Sequence, residues 1–267
     1  MSIKVERLDK NLSKKLLFAG DIVGEIGCEF FAKNIYEIKK KKNIDIVVVN
    51  GENSAKGNGI TKYSSDFLIA NGVDIITTGN HSFKRREAME IYSSNVILRP
   101  ANYPEGCIGK GVCEYDLGPY KIAVVNLMGV VYMEPIDNPF TVIDSVLEEI
   151  DTPNIFVDFH AEATAEKKSM GFYLSGRATA VLGTHTHVQT ADEAILDNHT
   201  AYITDTGMTG AELSVLGVDK DIAVEKMRTH FPIRFTESKE KPFLNCVIVE
   251  FDEKTGKALS IERMIIR

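Results

Sequence analysis

The sequence predicts a single α/β domain that contains a mixed sheet and folds as a layered sandwich. Short apolar runs alternate with segments whose apolar residues recur at helical spacing, a pattern typical of parallel strands covered by helices. The run at residues 44–49 is apolar without alternation, which indicates a strand buried on both faces. Residues 244–251 and 258–266 are predicted to pair as an antiparallel hairpin, so the sheet is expected to be mixed.

The first half of the chain repeats a strand–loop–helix order. Its strands are short apolar runs that end near Gly or Asn, and its first helix places Phe30, Phe31, Ile35 and Ile38 near helical spacing. The predicted strands are residues 16–19, 44–49 and 73–77, and the predicted helices are residues 28–40, 63–71 and 84–92.

The second half begins with a predicted hairpin, residues 111–117 and 120–126, which turns at Gly118 and Pro119. A helix follows at residues 138–150, because Asn138 can cap a first turn that contains Pro139. The remaining predicted strands are residues 155–159, 179–182 and 201–204, followed by the final hairpin around residues 253–256.

The composition and charge of the chain exclude several classes of function. Residues 1–15 are polar and charged and are predicted to be an N-terminal tail, with one domain over residues 16–267. That start lacks the apolar core of a secretory signal, and no run approaches the ~18 apolar residues of a membrane span, so we expect a cytoplasmic protein without membrane association. A net charge of −7 argues against bulk nucleic-acid binding. The four cysteines form no C-x-x-C pair and are expected to be reduced.

Metal-compatible side chains follow several of the predicted strands directly. Because ligands of α/β sheets bind beyond the carboxyl ends of the strands, we expect these side chains to meet in space. Mixed oxygen and imidazole ligation favours Zn, Mn or Fe over Ca or Mg. The candidates are Asp21, Glu52, Asn53, Asn80, His81, His160, His185 and His187.

Each candidate also has an ordinary structural interpretation. Asp21 could cap the following segment, Glu52 and Asn53 could be turn residues, and a lone His160 on an apolar strand is more often a core histidine. If residues 184–188 are extended, His185 and His187 project to the same side. Asp158 shares a strand face with His160 and is either its orienting partner or a satisfied buried carboxylate. The joint pattern favours a metal centre.

The segments that carry these residues resemble the calcineurin-like metallophosphoesterases, and more closely a bacterial subfamily of 2′,3′-cyclic-nucleotide 2′-phosphodiesterases. The resemblance extends from about residue 16 to about residue 235 and implies a four-layer α/β/β/α sandwich with mixed sheets and a two-metal site at its edge. The matching segments are GDIVG, NGENSAKGNG, TTGNHSF, LRPANYPEG, DFHAEATAEK, GTHTHVQTAD and AYITDTGMTG.

The resemblance also implies a role for each candidate residue. Glu52 would bridge the two metal ions, and His81 would be a proton donor that binds neither. One ion would be held by Asp21, Glu52, Asn53 and His187, and the other by Glu52, Asn80, His160 and His185. The chain departs from the broad family in lacking the usual Asp-x-His of the first block, and Ser82 follows His81 where an acidic residue is common.

The leading hypothesis is therefore a dinuclear metal-dependent phosphodiesterase that hydrolyses 2′,3′-cyclic nucleotides. A metal-bound hydroxide would attack phosphorus and His81 would protonate the leaving oxygen. Iron or manganese are the expected ions, with zinc as an alternative. A phosphomonoesterase on nucleotides or phosphoproteins and a regulatory scaffold with structural metals are the competing hypotheses. The expected partner is a small phosphodiester, and a homo-oligomer is left open.

Overall fold

Residues 13–267 fold into two mixed β-sheets and five α-helices. The structure, a computed structural model, describes residues 13–267. Its strands are β1 (Ser13–Ala19), β2 (Asp21–Ile22), β3 (Ile46–Asn50), β4 (Ile75–Thr77), β5 (Val112–Asp116), β6 (Lys121–Met128), β7 (Ile155–His160), β8 (Ala180–Thr184), β9 (Ala194–Leu196), β10 (Thr200–Ile203), β11 (Met208–Ala211), β12 (Pro242–Asp252) and β13 (Ala258–Ile266). Its helices are α1 (Gly24–Lys42), α2 (Lys62–Ala70), α3 (Pro139–Glu149), α4 (Thr164–Tyr173) and α5 (Lys220–Thr229), with a 3₁₀ helix at Arg86–Ser93.

Both sheets combine parallel and antiparallel pairs. The first sheet has the order β2–β11–β12–β1–β3–β4, and β13 pairs with residues 244–251 of β12 to give the predicted final hairpin. Strands β1, β3 and β4 are parallel, whereas β12 runs antiparallel to β1. The second sheet has the order β5–β6–β7–β8–β10–β9, in which β6, β7, β8 and β10 are parallel. The parallel strands of each sheet therefore end at one edge.

Alternate residues of the central strands supply two different cores. Leu17 and Val47 point to one face of the first sheet and belong to a core that includes Phe31 of α1. Leu16 of β1 points to the other face and packs with Phe156 of the second sheet. A third core lies on the outer face of the second sheet and includes Ile143 of α3. The order of layers is therefore helix, sheet, sheet, helix, and the predicted four-layer α/β/β/α sandwich with mixed sheets is confirmed.

Most predicted elements are present, with shifted ends. The structure has the hairpin of β5 and β6, and Asn138 caps α3 by accepting a hydrogen bond from the Phe140 backbone N–H at 2.9 Å. The segment predicted as a helix at residues 84–92 is a 3₁₀ helix instead. Strand β1 begins at Ser13, so it includes the last residues of the predicted tail, and the rest of that tail lies outside the described residues. Helices α4 and α5 were not predicted from the sequence.

No helix in the part of the chain that the structure describes is both long and apolar enough to cross a membrane.

Candidate metal centre

The predicted site residues all lie where the parallel strands of the two sheets end. Asp21 opens β2, His160 is the last residue of β7, and the remaining residues lie in the loops that follow β3, β4 and β8. Those loop residues are Glu52, Asn53, Asn80, His81, His185 and His187. Because β2, β3 and β4 belong to one sheet and β7 and β8 to the other, the candidate site lies across the joint between the sheets.

Glycines allow the backbones at this joint to approach closely. A Cβ atom on Gly79 would lie 2.2 Å from Cδ2 of the His160 ring, so any larger residue there would displace the imidazole. A Cβ atom on Gly20 would lie 1.9 Å from the Gly207 carbonyl oxygen, which accepts a hydrogen bond from the Asp21 backbone N–H at 3.1 Å. The glycines next to the predicted ligands are therefore required by close packing.

The first group of side chains gathers around Asp21 and Asn53. The Asn53 amide nitrogen Nδ2 lies 3.4 Å from Asp21 Oδ1, 3.1 Å from Glu52 Oε1 and 3.3 Å from His187 Nε2. His187 Nε2 is 3.5 Å from Asp21 Oδ1. Asn53 would present its oxygen to the same neighbours after a half-turn of the amide group.

The second group gathers around His160. Its Nε2 atom is 2.9 Å from Asn80 Oδ1, 3.1 Å from His185 Nδ1 and 3.3 Å from Glu52 Oε1. Ligand atoms of Glu52, His160 and His185 all lie within 4.8 Å of one another. The same Oε1 atom of Glu52 also contacts Asn53, so this carboxylate lies between the two groups.

The turn that carries His185 and His187 differs from the sequence expectation. Residues 184–188 are not extended, because His185 has φ = 98° and His187 has φ = 64°. The turn is held by buried acceptors: Asp21 Oδ2 accepts the His185 backbone N–H at 3.1 Å, and Asp205 Oδ2 accepts the Thr186 backbone N–H at 3.0 Å. Both imidazoles reach the site because the backbone at His185 and His187 has positive φ values and turns each side chain inward. They do not share one side of an extended strand.

A chain of hydrogen bonds orients His160. The Thr184 hydroxyl donates to Asp158 Oδ1 at 2.6 Å, so its oxygen accepts the Nδ1–H of His160 at 2.9 Å. This arrangement leaves Nε2 of His160 to face Glu52 and Asn80. Asp158 therefore orients His160 through Thr184. Asp158 is also a satisfied buried carboxylate, because Asn50 Nδ2 and the Thr77 hydroxyl donate to its Oδ2.

The site contains buried carboxylates that no Lys or Arg among residues 13–267 neutralises. Asp21 and Glu52 are buried, and among residues 13–267 their ion pairs are to histidines only. Burial raises the pKa of Glu52, but the charge and hydrogen bond of His160 outweigh this and hold it well below its usual value. Burial lowers the pKa of His160, but Glu52 outweighs this and raises it to about 9. Burial and the His160 charge together lower the pKa of His185 to about 4.

These residues fit a metal centre. Two buried carboxylates without a Lys or Arg partner are costly unless other cations approach them, and the neighbouring imidazoles are themselves metal ligands. The donor set of carboxylate, amide and imidazole groups suits first-row divalent ions. An ion at this position would replace the additional proton that Glu52 otherwise stabilises on His160.

Further residues at the site were not predicted. Glu162 Oε2 lies 3.0 Å from Nε2 of His185 and can fix the orientation of that ring. Asp205 binds the Thr186 backbone and is paired with Lys167 of α4 at 2.7 Å. Asp205 lies two residues after the end of β10 at Ile203, so the strand-end rule that selected the other acidic residues could also have selected it. The partnership with Lys167 has no sequence signal of this kind.

The fold and the site together define a metallophosphoesterase-like protein. The chain belongs to the YmdB-like protein family, whose model matches residues 17–264, and the resemblance stated from the sequence is confirmed. It is 43% identical over 255 residues to the 2′,3′-cyclic-nucleotide 2′-phosphodiesterase of Bacillus subtilis (strain 168), covering 94% of this chain and 97% of that protein.

Two solved structures have the same architecture over nearly their whole length. A hypothetical protein from Thermus thermophilus matches with a TM-score of 0.90 at 36% identity, covering 94% of this chain and 98% of that one. A novel phosphatase from Mycoplasma pneumoniae matches with a TM-score of 0.91 at 33% identity, covering 95% and 93%. The likeness therefore spans the whole sandwich, including the joint where the candidate site lies.

Proposed function

We propose that the chain is a phosphodiesterase that uses two divalent metal ions to hydrolyse 2′,3′-cyclic nucleotides. The observation that carries this proposal is the position of Glu52 between two groups of ligating side chains at one sheet joint. Membership of the YmdB-like family and the 43% identity to an enzyme named for this reaction support the same reaction class. The substrate is expected to be a small phosphodiester.

The two groups of side chains would each hold one ion, and Glu52 would contact both. Manganese or iron are the expected ions, because both accept mixed oxygen and imidazole ligands. When bound, the ions would supply positive charge to the phosphoryl oxygens and lower the pKa of the attacking water. One group is Asp21, Asn53 and His187, and the other is Asn80, His160 and His185.

His81 is placed to move the proton that the leaving oxygen requires. Its Nδ1 atom lies 2.9 Å from the side-chain amide of Asn53 and 3.1 Å from Glu52 Oε1, so these groups fix the ring. In the amide orientation that presents the Asn53 oxygen to an ion, the Asn53 amide N–H would donate to Nδ1 and leave the ring proton on Nε2. Within the described residues Nε2 of His81 makes no hydrogen bond, and the side chain lines the cleft beside the site. Nε2 would therefore donate its proton to the 2′ oxygen of the ribose as its bond to phosphorus breaks, which leaves a 3′-nucleotide.

The test is to strip the protein with a chelator and reload it with manganese or iron. The loaded protein should cleave 2′,3′-cyclic AMP and an aryl phosphodiester, and it should do so faster than an aryl phosphomonoester. His81→Ala should lower kcat by roughly 10²–10⁴-fold, the usual contribution of a general acid, while elemental analysis still finds two ions per chain. His230→Asn is the matched control, because His230 is exposed and caps α5 away from the site.

Three results would contradict parts of the proposal. Undiminished turnover in His81→Ala would remove this residue from proton transfer. Uptake of a single ion per chain in the active enzyme would remove the dinuclear arrangement, and a preference for the monoester would favour the competing phosphomonoesterase hypothesis.

A further inference from the structure

The cleft beside the site combines two chemical surfaces. It has a volume of about 400 Å³, within the range of pockets that bind small molecules. One part of its lining is polar and can hold a phosphoryl group: it consists of His81 and four of the proposed metal ligands, Glu52, Asn53, His185 and His187. Another part is apolar and includes Leu216 and Phe235, both of which are exposed. The chain keeps two large apolar side chains in water next to a polar site, where a ligand could cover them.

Leu216 lies on a tight turn that is fixed in place. Val215 and Val218 exchange backbone hydrogen bonds of 2.9 and 3.0 Å, and Leu216 and Gly217 between them have φ values of 54° and 93°. The Leu216 carbonyl accepts a hydrogen bond from Nδ1–H of His187 at 3.3 Å. The turn is therefore tied to one of the proposed ligands, and its apolar side chain is held beside the site.

Phe235 lies on the segment that runs beside this turn. The Asp219 backbone N–H donates to the Thr236 carbonyl at 2.9 Å, and Glu237 accepts the backbone N–H of Gly57 in the loop after β3. The Lys226 ammonium lies 4.3 Å from the centre of the Phe235 ring. Even with this contact the ring is 42% exposed, so much of its surface is free for a second planar group.

We propose that Phe235 and Leu216 form the subsite for the nucleobase of the substrate. This inference rests on the proposed function, because a cyclic phosphate held at the metal ligands carries its base only one sugar ring away. An aromatic ring beside an aliphatic side chain provides a stacking surface, and every base has a face that can stack on it. The subsite therefore favours nucleotides over base-free phosphodiesters and discriminates weakly among the bases.

The experiment compares two substrates with the same reacting group, 2′,3′-cyclic AMP and methyl riboside 2′,3′-cyclic phosphate, which has no base. In Phe235→Ala the ratio of kcat/KM for the nucleotide to that for the base-free compound should fall by about 5- to 150-fold, the range expected for one lost stacking contact. The change should lie in KM more than in kcat, because stacking acts before and during the reaction alike. Phe235→Tyr should restore the ratio.

A binding measurement and a matched variant complete the design. Calorimetric titration with 3′-AMP, which requires no turnover, should show the same loss of affinity in Phe235→Ala. Phe231→Ala removes an aromatic ring that is 64% exposed on the same segment but outside the cleft, and it should change neither ratio nor affinity. If the ratio of kcat/KM values is unchanged in Phe235→Ala, including the case of an equal fall on both substrates, the proposed subsite is overturned. Failure of the loaded wild-type protein to cleave either compound would overturn the proposed function instead.

Discussion

The buried ion pair of Lys167 and Asp205 holds the turn that carries two of the proposed ligands, so Lys167→Met should loosen the site. Lys167 Nζ lies 2.7 Å from Asp205 Oδ2 and 2.6 Å from the Thr184 carbonyl, and the side chains of the pair are 1% and 0% exposed. Asp205 Oδ2 also accepts the backbone N–H and the hydroxyl of Thr186, at 3.0 and 2.8 Å. Methionine keeps most of the length of the side chain and removes its charge.

The expected cost follows from the charge left behind. Removing one partner of a buried pair costs about 3–5 kcal/mol, because the remaining charge is uncompensated. Asp205 keeps its hydrogen bonds from Thr186 and from the Gly207 backbone N–H, so we expect the lower end, about 3 kcal/mol. For a domain of this size that loss lowers Tm by roughly 6–12 °C. The double variant Lys167→Met, Asp205→Asn should regain part of it, because no charge remains buried.

The assay is thermal unfolding of the metal-free protein, followed by circular dichroism. Lys62→Met is the matched control, because Lys62 pairs with Asp66 at 2.6 Å but both side chains are exposed, at 67% and 59%, and such pairs contribute about 0–1 kcal/mol. A manganese titration should also show weaker uptake in Lys167→Met. A Tm for Lys167→Met within the range of Lys62→Met would refute the reasoning, since the pair would then contribute no more than a surface contact.

The remaining predictions concern thiol reactivity and acid stability. Burial raises the pKa of Cys28 and of Cys246 to about 12 and that of Cys113 to about 11, whereas Cys107 is only half-buried. At pH 8 the native protein should therefore react quickly with a disulfide reagent only at Cys107, and all four thiols should react in denaturant. Burial raises the pKa of Asp192, but hydrogen bonds from Thr204 and its neighbours outweigh this and lower it to about 2. A lowered carboxyl pKa stabilises the fold above the unfolded value and loses that contribution as pH falls towards 2. Asp192→Asn should therefore lower Tm by roughly 2–4 °C at pH 6, about 1 kcal/mol, and the difference should close near pH 2. Several fast thiols in the native protein, or a pH-independent difference in Tm, would contradict these two expectations.

The positions of the site residues were predictable because strand ends follow a simple rule. Apolar runs identify the parallel strands, and parallel strands of one sheet end at one edge, so Asp21, Glu52 and Asn80 were expected to meet. The contact between the two sheets has no corresponding signal in the sequence. His160 comes from the second sheet, and its approach to Glu52 depends on how the two sheets pack over the core around Phe156.

The missed elements lack the pattern on which the prediction depends. Helix α4 buries Glu166 and Lys167 together with Met170, so its inner face is polar and gives no apolar periodicity. Helix α5 buries only Ala223 among its described residues and leaves Met227 exposed. Helix α5 is stabilised by its Asp219 cap and helix α4 by the buried pair of Lys167 and Asp205, and neither contact produces an apolar periodicity in the sequence. The strands β2, β9 and β11 are two to four residues long and too short for any periodicity.

The polar inner face of α4, which prevented its prediction from the sequence, also positions the site. Lys167 reaches from the outer helical layer through the second sheet's edge to Asp205, and Asp158 accepts hydrogen bonds from Asn50 and Thr77 of the first sheet. Burial of Asp158 at the joint between the sheets raises its pKa to about 6, because the charged carboxylate is destabilised there. Each of these buried groups joins a strand end to another layer. The side chains proposed as metal ligands therefore keep their positions because polar contacts across three layers fix the strand ends on which they lie.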